Sequence, residues 1–190
     1  MKNEIEKYSI AIIPSDEIVN QFKTFKDLLA ENIGSYKSRN SIAHISIKEF
    51  YGNSQDLALV KKQLERTCNT MKPFEVSLTT FNSYPNSKAF FVAPDTFSKE
   101  LLKQVMKQIQ KAVTVKSDSI SSDPHISIGR GLKNLEQAHV LFNFPIDLKF
   151  ECNGVSIRKY NPEIGQYEVN ETFNFKSEPN QEPQQMSLFE

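Results

Sequence analysis

The sequence predicts an α+β fold of two lobes related by an approximate two-fold axis. Three observations predict it. β-prone and helix-periodic segments alternate along the chain. The alternation runs through one order twice, and the tetrapeptide HISI recurs at the matching place in each round, at His44–Ile47 and His125–Ile128. Pro14 lies 30 residues ahead of His44 and Pro94 lies 31 ahead of His125, so the two rounds also match in length.

The first unit opens with Tyr8–Ile13 (YSIAII), apolar and β-prone, closed by Pro14. Asp16–Ile33 then carries Ile18, Val19, Phe22, Phe25, Leu28, Leu29 and Ile33 at helical spacing, with Ser15 as its N-cap. After a polar turn, Ile42–Phe50 (IAHISIKEF) reads as a strand. A second helix, about Gln55–Thr70, and a strand, Phe74–Phe81, complete the unit. The second unit repeats the order. Ala89–Ala93 (AFFVA) is a strand closed by Pro94, and Phe97–Val113 is a helix through Leu101, Leu102, Val105, Met106 and Ile109. His125–Ile128 is a strand, Asn134–Phe142 a helix and Asp147–Ile157 a strand. Tyr167–Phe175 is a last strand. One domain is therefore expected over 1–175, with lobes at about 8–84 and 89–175.

From Lys176 the character changes. KSEPNQEPQQ is rich in Pro, Gln and Glu and reads as a flexible linker, so 176–190 is expected to be a tail. Its tip, QMSLFE, is apolar again.

Composition narrows the function. Of the 190 residues 38% are apolar, 14 of them Phe, which is enough for a buried core. No apolar run reaches the roughly 20 residues that span a bilayer. Met1–Lys7 lacks the apolar stretch of a secretory signal, so a cytoplasmic protein is expected, with Cys68 and Cys152 reduced. Basic and acidic residues balance at 23 each, which argues against a long nucleic-acid groove. Balance suits a local pocket that reads an end or a small molecule.

The chemistry lies in the repeated tetrapeptide. Side chains of a strand alternate between faces. Ile45, Ile47, Ile126 and Ile128 are expected to anchor two cores, leaving His44 with Ser46, and His125 with Ser127, on the opposite faces. If those faces meet, one cleft holds two imidazoles and two hydroxyls. A neutral His can take a proton from water while a protonated one gives a proton to a leaving oxygen, and both forms exist near neutral pH. Hydroxyls two residues along can donate to non-bridging phosphate oxygens. Core packing alone would keep Ile-x-Ile; it gives no reason for His and Ser on the other face twice. Asp123 with the two histidines makes only a partial metal site, without a third ligand at metal-type spacing, so no metal and no cofactor is expected. His139, in a helical stretch without such a partner, is expected to be a bystander.

On these residues the chain resembles the two-histidine (2H) phosphoesterases, and within them the 2′-5′ RNA ligase-like or RNA 2′,3′-cyclic phosphodiesterase family. HISIK and PHISIGR match the family's HITLK and PHITLAR patterns, with Ser for the commoner Thr. SYPNSKAFFV resembles the segment before its second helix unit, and Val155–Phe175, with Gly165 and Tyr167, its final hairpin. The resemblance covers about Tyr8–Phe175. It implies a bilobal fold, each lobe an antiparallel sheet with helices, around a central cleft lined by both motifs. It implies metal-free hydrolysis of a 2′,3′-cyclic phosphate at an RNA end or in a small cyclic nucleotide, typically to a 2′-phosphate. By motif position His44 would be the general acid and His125 the general base, with Ser46 and Ser127 holding phosphate. Arg130, placed where the family has an arginine after its second motif, would contact a phosphate or base. Lys48 matches the pattern and is read as a substrate contact, the alternative being a solvated lysine at a strand end; Tyr84 is read either as a stacking residue lining the cleft or as a packing residue. The chain departs from the family at Glu49, inserted before Phe50, which bears on substrate choice.

Other readings share part of this evidence. The same chemistry could act on cyclic oligonucleotide signals or 2′-5′ linkages. A non-catalytic nucleotide-binding adaptor could keep the fold, although intact His and Ser pairs argue against it. In the tail, Gln185, Met186, Leu188 and Phe189 resemble the short peptide by which bacterial proteins dock on the DNA sliding clamp, with Met186 in place of Leu. The clamp is thus an expected partner, and the protein itself is expected to be a monomer.

Overall fold

The computed structural model describes residues 4–36 and 38–179. The first repeat supplies β1 (Glu6–Ile12), α1 (Asp16–Ile33), β2 (Ile45–Gly52), α2 (Ser54–Thr70) and β3 (Phe74–Tyr84). The second supplies β4 (Ala89–Pro94), α3 (Thr96–Ala112), β5 (Ser119–Ile120), β6 (Ile126–Gly129), α4 (Leu135–Leu141) and β7 (Leu148–Cys152). A closing hairpin, β8 (Gly154–Asn161) and β9 (Gln166–Asn174), follows, turning through Gly165 at a positive φ of 65°.

The helices begin where side chains can satisfy the free N–H groups of their first turns. Asn53 accepts from Asp56 N while Asp56 accepts from Asn53 N, a capping box for α2. Asp95 accepts from Ser98 N at α3, and Asn134 from Gln137 N at α4. Ser15 differs from expectation: its side chain makes no cap bond, and α1 starts with Ser15 O accepting from Val19 N.

All strand pairings are antiparallel. They form a five-stranded sheet A, ordered β5-β2-β1-β8-β9, and a four-stranded sheet B, ordered β6-β4-β3-β7. The two orders correspond. In each, the HISI strand lies beside the strand that opens its repeat, and two further strands follow. The lobes are nevertheless not the two halves of the chain. β3, from the first half, sits in the middle of sheet B, and β8, from the second, in the middle of sheet A. The segment 147–157, read as one strand, is two: it leaves sheet B at Cys152 and enters sheet A at Gly154. Gly154 permits this switch, because a Cβ there would meet Phe173 O at 2.6 Å.

One apolar core joins the lobes. Phe25, Phe81, Phe90 and Phe142 interlock with ring centroids 5.1–6.0 Å apart, at the junction of α1, α4 and sheet B. Burying each such ring is worth roughly 1.5–3 kcal/mol. α1 and α4 lie against sheet B, while α2 and α3 pack on each other, with α2 against β2 and β9. No described helix is long and apolar enough to cross a membrane.

Candidate active site

Each motif histidine is the residue immediately before its strand, and each ring is anchored alike. His44 Nδ1 bonds Ile42 O at 2.6 Å, and His125 Nδ1 bonds Asp123 O at 2.9 Å. A carbonyl only accepts, so Nδ1 carries a proton and the neutral ring keeps its lone pair on Nε2. Both rings thus present the same atom for proton transfer.

Beyond the histidines the strands carry a matched irregularity. Ser46 pairs with Ala11 and Lys48 with Ile10, leaving Ile47 as an extra residue. Ser127 pairs with Phe91 and Gly129 with Phe90, leaving Ile128 extra. A bulge of this kind reverses the alternation that follows it. The residue after it turns toward the core in both sheets: Lys48 is buried, and a Cβ at Gly129 would sit 2.7 Å from Leu132. The next residue returns to the face carrying the motif serine. In sheet A that residue is Glu49, paired with Ser9; at the corresponding position beyond β6 stands Arg130, whose Nε donates to Ser127 Oγ at 3.3 Å.

The bulge corrects the expectation for Lys48. Its Nζ donates to Val113 O, at the end of α3, at 2.6 Å, and burial lowers its pKa. Lys48 closes a helix end and does not reach the motif face. Tyr84 does join His125: the ring centroids are 5.4 Å apart, and Phe91 completes the group at 4.5 Å from Tyr84 and 4.6 Å from His125. The Tyr84 hydroxyl donates to Asp123 Oδ2, and Lys99 Nζ lies 2.6 Å from Asp123 Oδ1. Asp123 is therefore occupied by two donors, and among the described residues no group of three or more His, Cys, Asp and Glu is placed to hold a metal. His139 bonds Ser83 on the edge of Phe90, away from the motifs.

On sheet A the motif face also carries Ser9 and Arg158, which no sequence pattern singled out. Ser9 in β1 lies opposite Arg158 in β8. Arg158 is only 2% exposed; its Nη2 donates to Ser9 Oγ at 2.6 Å and its guanidinium lies 5.1 Å from the centre of the Tyr167 ring. Glu49 pairs with Lys7 at 3.2 Å. A charged residue at an inward position of an otherwise β-prone run, as Arg158 is in GVSIRKY, was the available signal.

These charges tune the histidines. His44 keeps some surface exposed but is densely surrounded; burial first, then the positive charges of Arg158, Arg130 and Lys26, hold its pKa well below the ordinary 6.5, against the opposing bond to Ile42 O. Burial also lowers His125, with Arg130 and Lys99 adding to it, while the bond to Asp123 O and the Asp123 carboxylate oppose. Burial pulls Lys26 down to about 8 and Arg158 to about 10, with Arg130 contributing to both. Arg130, beyond the end of β6, thus acts on groups of both sheets. The set is locally positive in a chain of zero formal net charge, which suits a bound anion.

The tail joins the fold later than expected. Lys176, Ser177 and Glu178 donate backbone N–H groups to Cys68 O, Met71 O and Asn69 O, satisfying carbonyls at the end of α2. Their attachment moves the start of any tether past Glu178. Gln185, Met186, Leu188 and Phe189 lie outside the described residues. Cys68 and Cys152 are free, buried thiols, each pushed up to about 12 by burial.

Two antiparallel sheets of corresponding strand order, each with its own His-x-Ser strand, are the layout of a two-histidine phosphoesterase. The chain belongs to the 2′-5′ RNA ligase superfamily, whose model matches residues 14–163. It is 28% identical over 138 residues to a candidate phosphoesterase of Geobacillus thermodenitrificans, covering 70% of this chain and 75% of that one. A Geobacillus kaustophilus candidate phosphoesterase is 25% identical over 173 residues, covering 88% and 95%. Among solved structures, E. coli LigT complexed with NADP+ superposes with a TM-score of 0.70 at 12% identity, over 91% of this chain and 99% of that one. TT0787 of Thermus thermophilus gives 0.63 at 15% identity, over 91% and 100%.

Proposed function

We propose that this phosphoesterase hydrolyses 2′,3′-cyclic phosphates, at RNA ends or in small cyclic nucleotides, without a metal. One observation carries the reading: two imidazoles anchored through Nδ1 in the same way, each two residues before a serine, among cations that favour an anion. In the proposed reaction the two motif faces hold the phosphoryl group between them, and Ser46, Ser127 and Arg130 donate to its non-bridging oxygens. His125 Nε2 takes a proton from the attacking water as the new P–O bond forms. The bond to the ribose 3′ oxygen breaks, and that oxygen takes a proton from His44 Nε2. The product is a 2′-phosphate, and solvent exchange restores both rings. His44 is depressed in the free protein by the same cations that attract phosphate, so its proton arrives with the anion, which offsets them. Solved complexes of E. coli LigT with 3′-AMP, ATP and phosphate support an anion site in this fold.

A panel of 2′,3′-cyclic nucleotides, RNA ending in a cyclic phosphate, 2′-5′-linked dinucleotides and cyclic dinucleotides, with product identification, tests the reading. Turnover of the first two to 2′-phosphates, lost in His44→Ala, is expected. Turnover confined to cyclic dinucleotides or 2′-5′ dimers would replace it with the signal-hydrolase reading; nucleotide binding without turnover would favour the adaptor. For the tail we propose docking on the bacterial sliding clamp through Gln185, Met186, Leu188 and Phe189; the support is the sequence pattern of the tip after a Pro- and Gln-rich stretch.

A further inference from the structure

Arg158 is a charged side chain placed where water cannot serve it. It is 2% exposed, in the middle of sheet A, two strands from the first His-x-Ser strand. Burial of a guanidinium is costly unless its donors are used and its charge is balanced. Arg158 meets both only in part. Its Nη2 is bonded to the neutral Ser9 hydroxyl, its Nε has no partner, and among the described residues no carboxylate lies within ion-pair distance of it. Glu49, on the same face, favours the Arg158 charge from a distance but makes its ion pair with Lys7. Arg158 is not free to leave, either: Ser9 lies directly across the strand pair and Tyr167 beneath the guanidinium. The result is a fixed, preorganised cation with unused donor capacity, on the face that carries Ser46.

We infer that Arg158 is a phosphate-binding residue: its guanidinium, pinned by Ser9 and Tyr167, grips non-bridging oxygens of the phosphoryl group on which His44 and His125 act. The inference rests on the functional reading above for the location of the phosphoryl group, and adds a ligand from a strand that neither motif belongs to. An arginine suits this task because its planar fork can meet two oxygens at once. It also gives the exchanged strand a function. β8 comes from the second half of the chain but delivers its arginine to the sheet of the first histidine. Of the charges around His44, the others are Arg130, beyond the end of β6, and Lys26, in α1, whose Nζ is bonded to Ser41. Only Arg158 lies on the same sheet face.

Inorganic phosphate is the probe, and NMR of the full chain the readout. Adding phosphate to the unaltered protein should shift the Arg158 Nε–H signal together with the His44 ring signals. In Arg158→Met, phosphate should bind at least about tenfold more weakly, and the titration point of His44 should rise toward that of an ordinary imidazole. Arg158→Lys should fall between. A folded Arg158→Met that binds phosphate as the unaltered protein does, with His44 unmoved, overturns the inference and leaves Arg158 a structural residue. Should that variant not fold, an unmoved Arg158 Nε–H signal in the unaltered protein overturns it equally. The functional reading fails separately: phosphate that moves Arg158 and His44 in a protein unable to turn over any cyclic phosphate keeps the binding role and removes the hydrolase.

Discussion

Anion binding and protonation should be linked at this site, and the sign of the linkage follows from the charges. The perturbation is pH, and the ligand is sulfate, which stays a dianion across the range. In the free protein His44 lies well below 6.5 because burial and the Arg158, Arg130 and Lys26 charges disfavour its imidazolium. A bound dianion offsets those charges and raises the pKa, so the complex takes up a proton that the free protein lacks. Uptake on binding means that affinity falls as pH rises. The fall begins at the free titration point of His44, below 6.5, and ends at its value in the complex. Within that window one proton changes the Kd by up to about tenfold per pH unit, or about 1.4 kcal/mol. His125 is lowered as well, by burial first, so a second proton sets the upper limit at about a hundredfold per unit. Calorimetry from about pH 5.5 to 7.5, in buffers of different ionisation enthalpy, measures both the slope and the protons taken up. His44→Gln should flatten the slope by about one proton. A Kd that is independent of pH across that range, or a slope unchanged in His44→Gln, would refute the electrostatic account.

Other outcomes follow from the same geometry. His44→Ala and His125→Ala should each lower turnover of a 2′,3′-cyclic nucleotide at least about 100-fold, and the double variant far less than the product of the two; near-normal steady-state rates in either folded single variant would sink the acid–base pair. An activated p-nitrophenyl phosphodiester needs no proton on its leaving group, so it should restore activity to the variant lacking the acid; rescue of His44→Ala supports the assignment above, and rescue of His125→Ala reverses it. Lys48→Met should leave KM unchanged and alter stability by no more than about 2 kcal/mol, because a buried charge is removed along with its bond to Val113 O; a raised KM with an unchanged melting curve would return Lys48 to the substrate. Truncation after Gln184, or Leu188→Ala with Phe189→Ala, should abolish binding to purified sliding clamp in solution while leaving hydrolysis untouched; equal clamp binding by all three chains would end the docking proposal.

Local pattern was legible in the sequence, and long-range pairing was not. The limits read for α1, Asp16–Ile33, are those observed, because its apolar positions repeat at helical spacing up to Gly34. The matched HISI strands and their order within each repeat were legible for the same reason. The exchange of β3 and β8 was not, since strand partners are chosen by packing over long separations and leave no local mark. β5 pairs through only two exposed residues and carries no periodicity. The bulges at Ile47 and Ile128 were hidden because strict alternation fits HISI well up to the serine. That one irregularity decided two site residues: it turned Lys48 inward and brought Glu49 to the motif face. The departure at Glu49 was visible as an insertion, but its structural meaning was not.

The exchange of strands explains how two nearly identical motifs come to have unequal surroundings. Within each sheet the HISI strand and its neighbour come from one repeat, so each histidine inherits the same Nδ1 anchor and the same bulge. The next strand in each sheet, β8 in sheet A and β3 in sheet B, comes from the other half of the chain, and there the sheets diverge. β8 brings Arg158 to the side of His44. β3 brings Tyr84 to the side of His125, where it bonds Asp123, the one carboxylate that favours a charged imidazole. The repeat thus accounts for two histidines anchored alike, and the exchanged strands for their different surroundings. The acid–base pair proposed above would need that difference, because two identical histidines would share one pKa and seldom hold one proton between them in a fixed order.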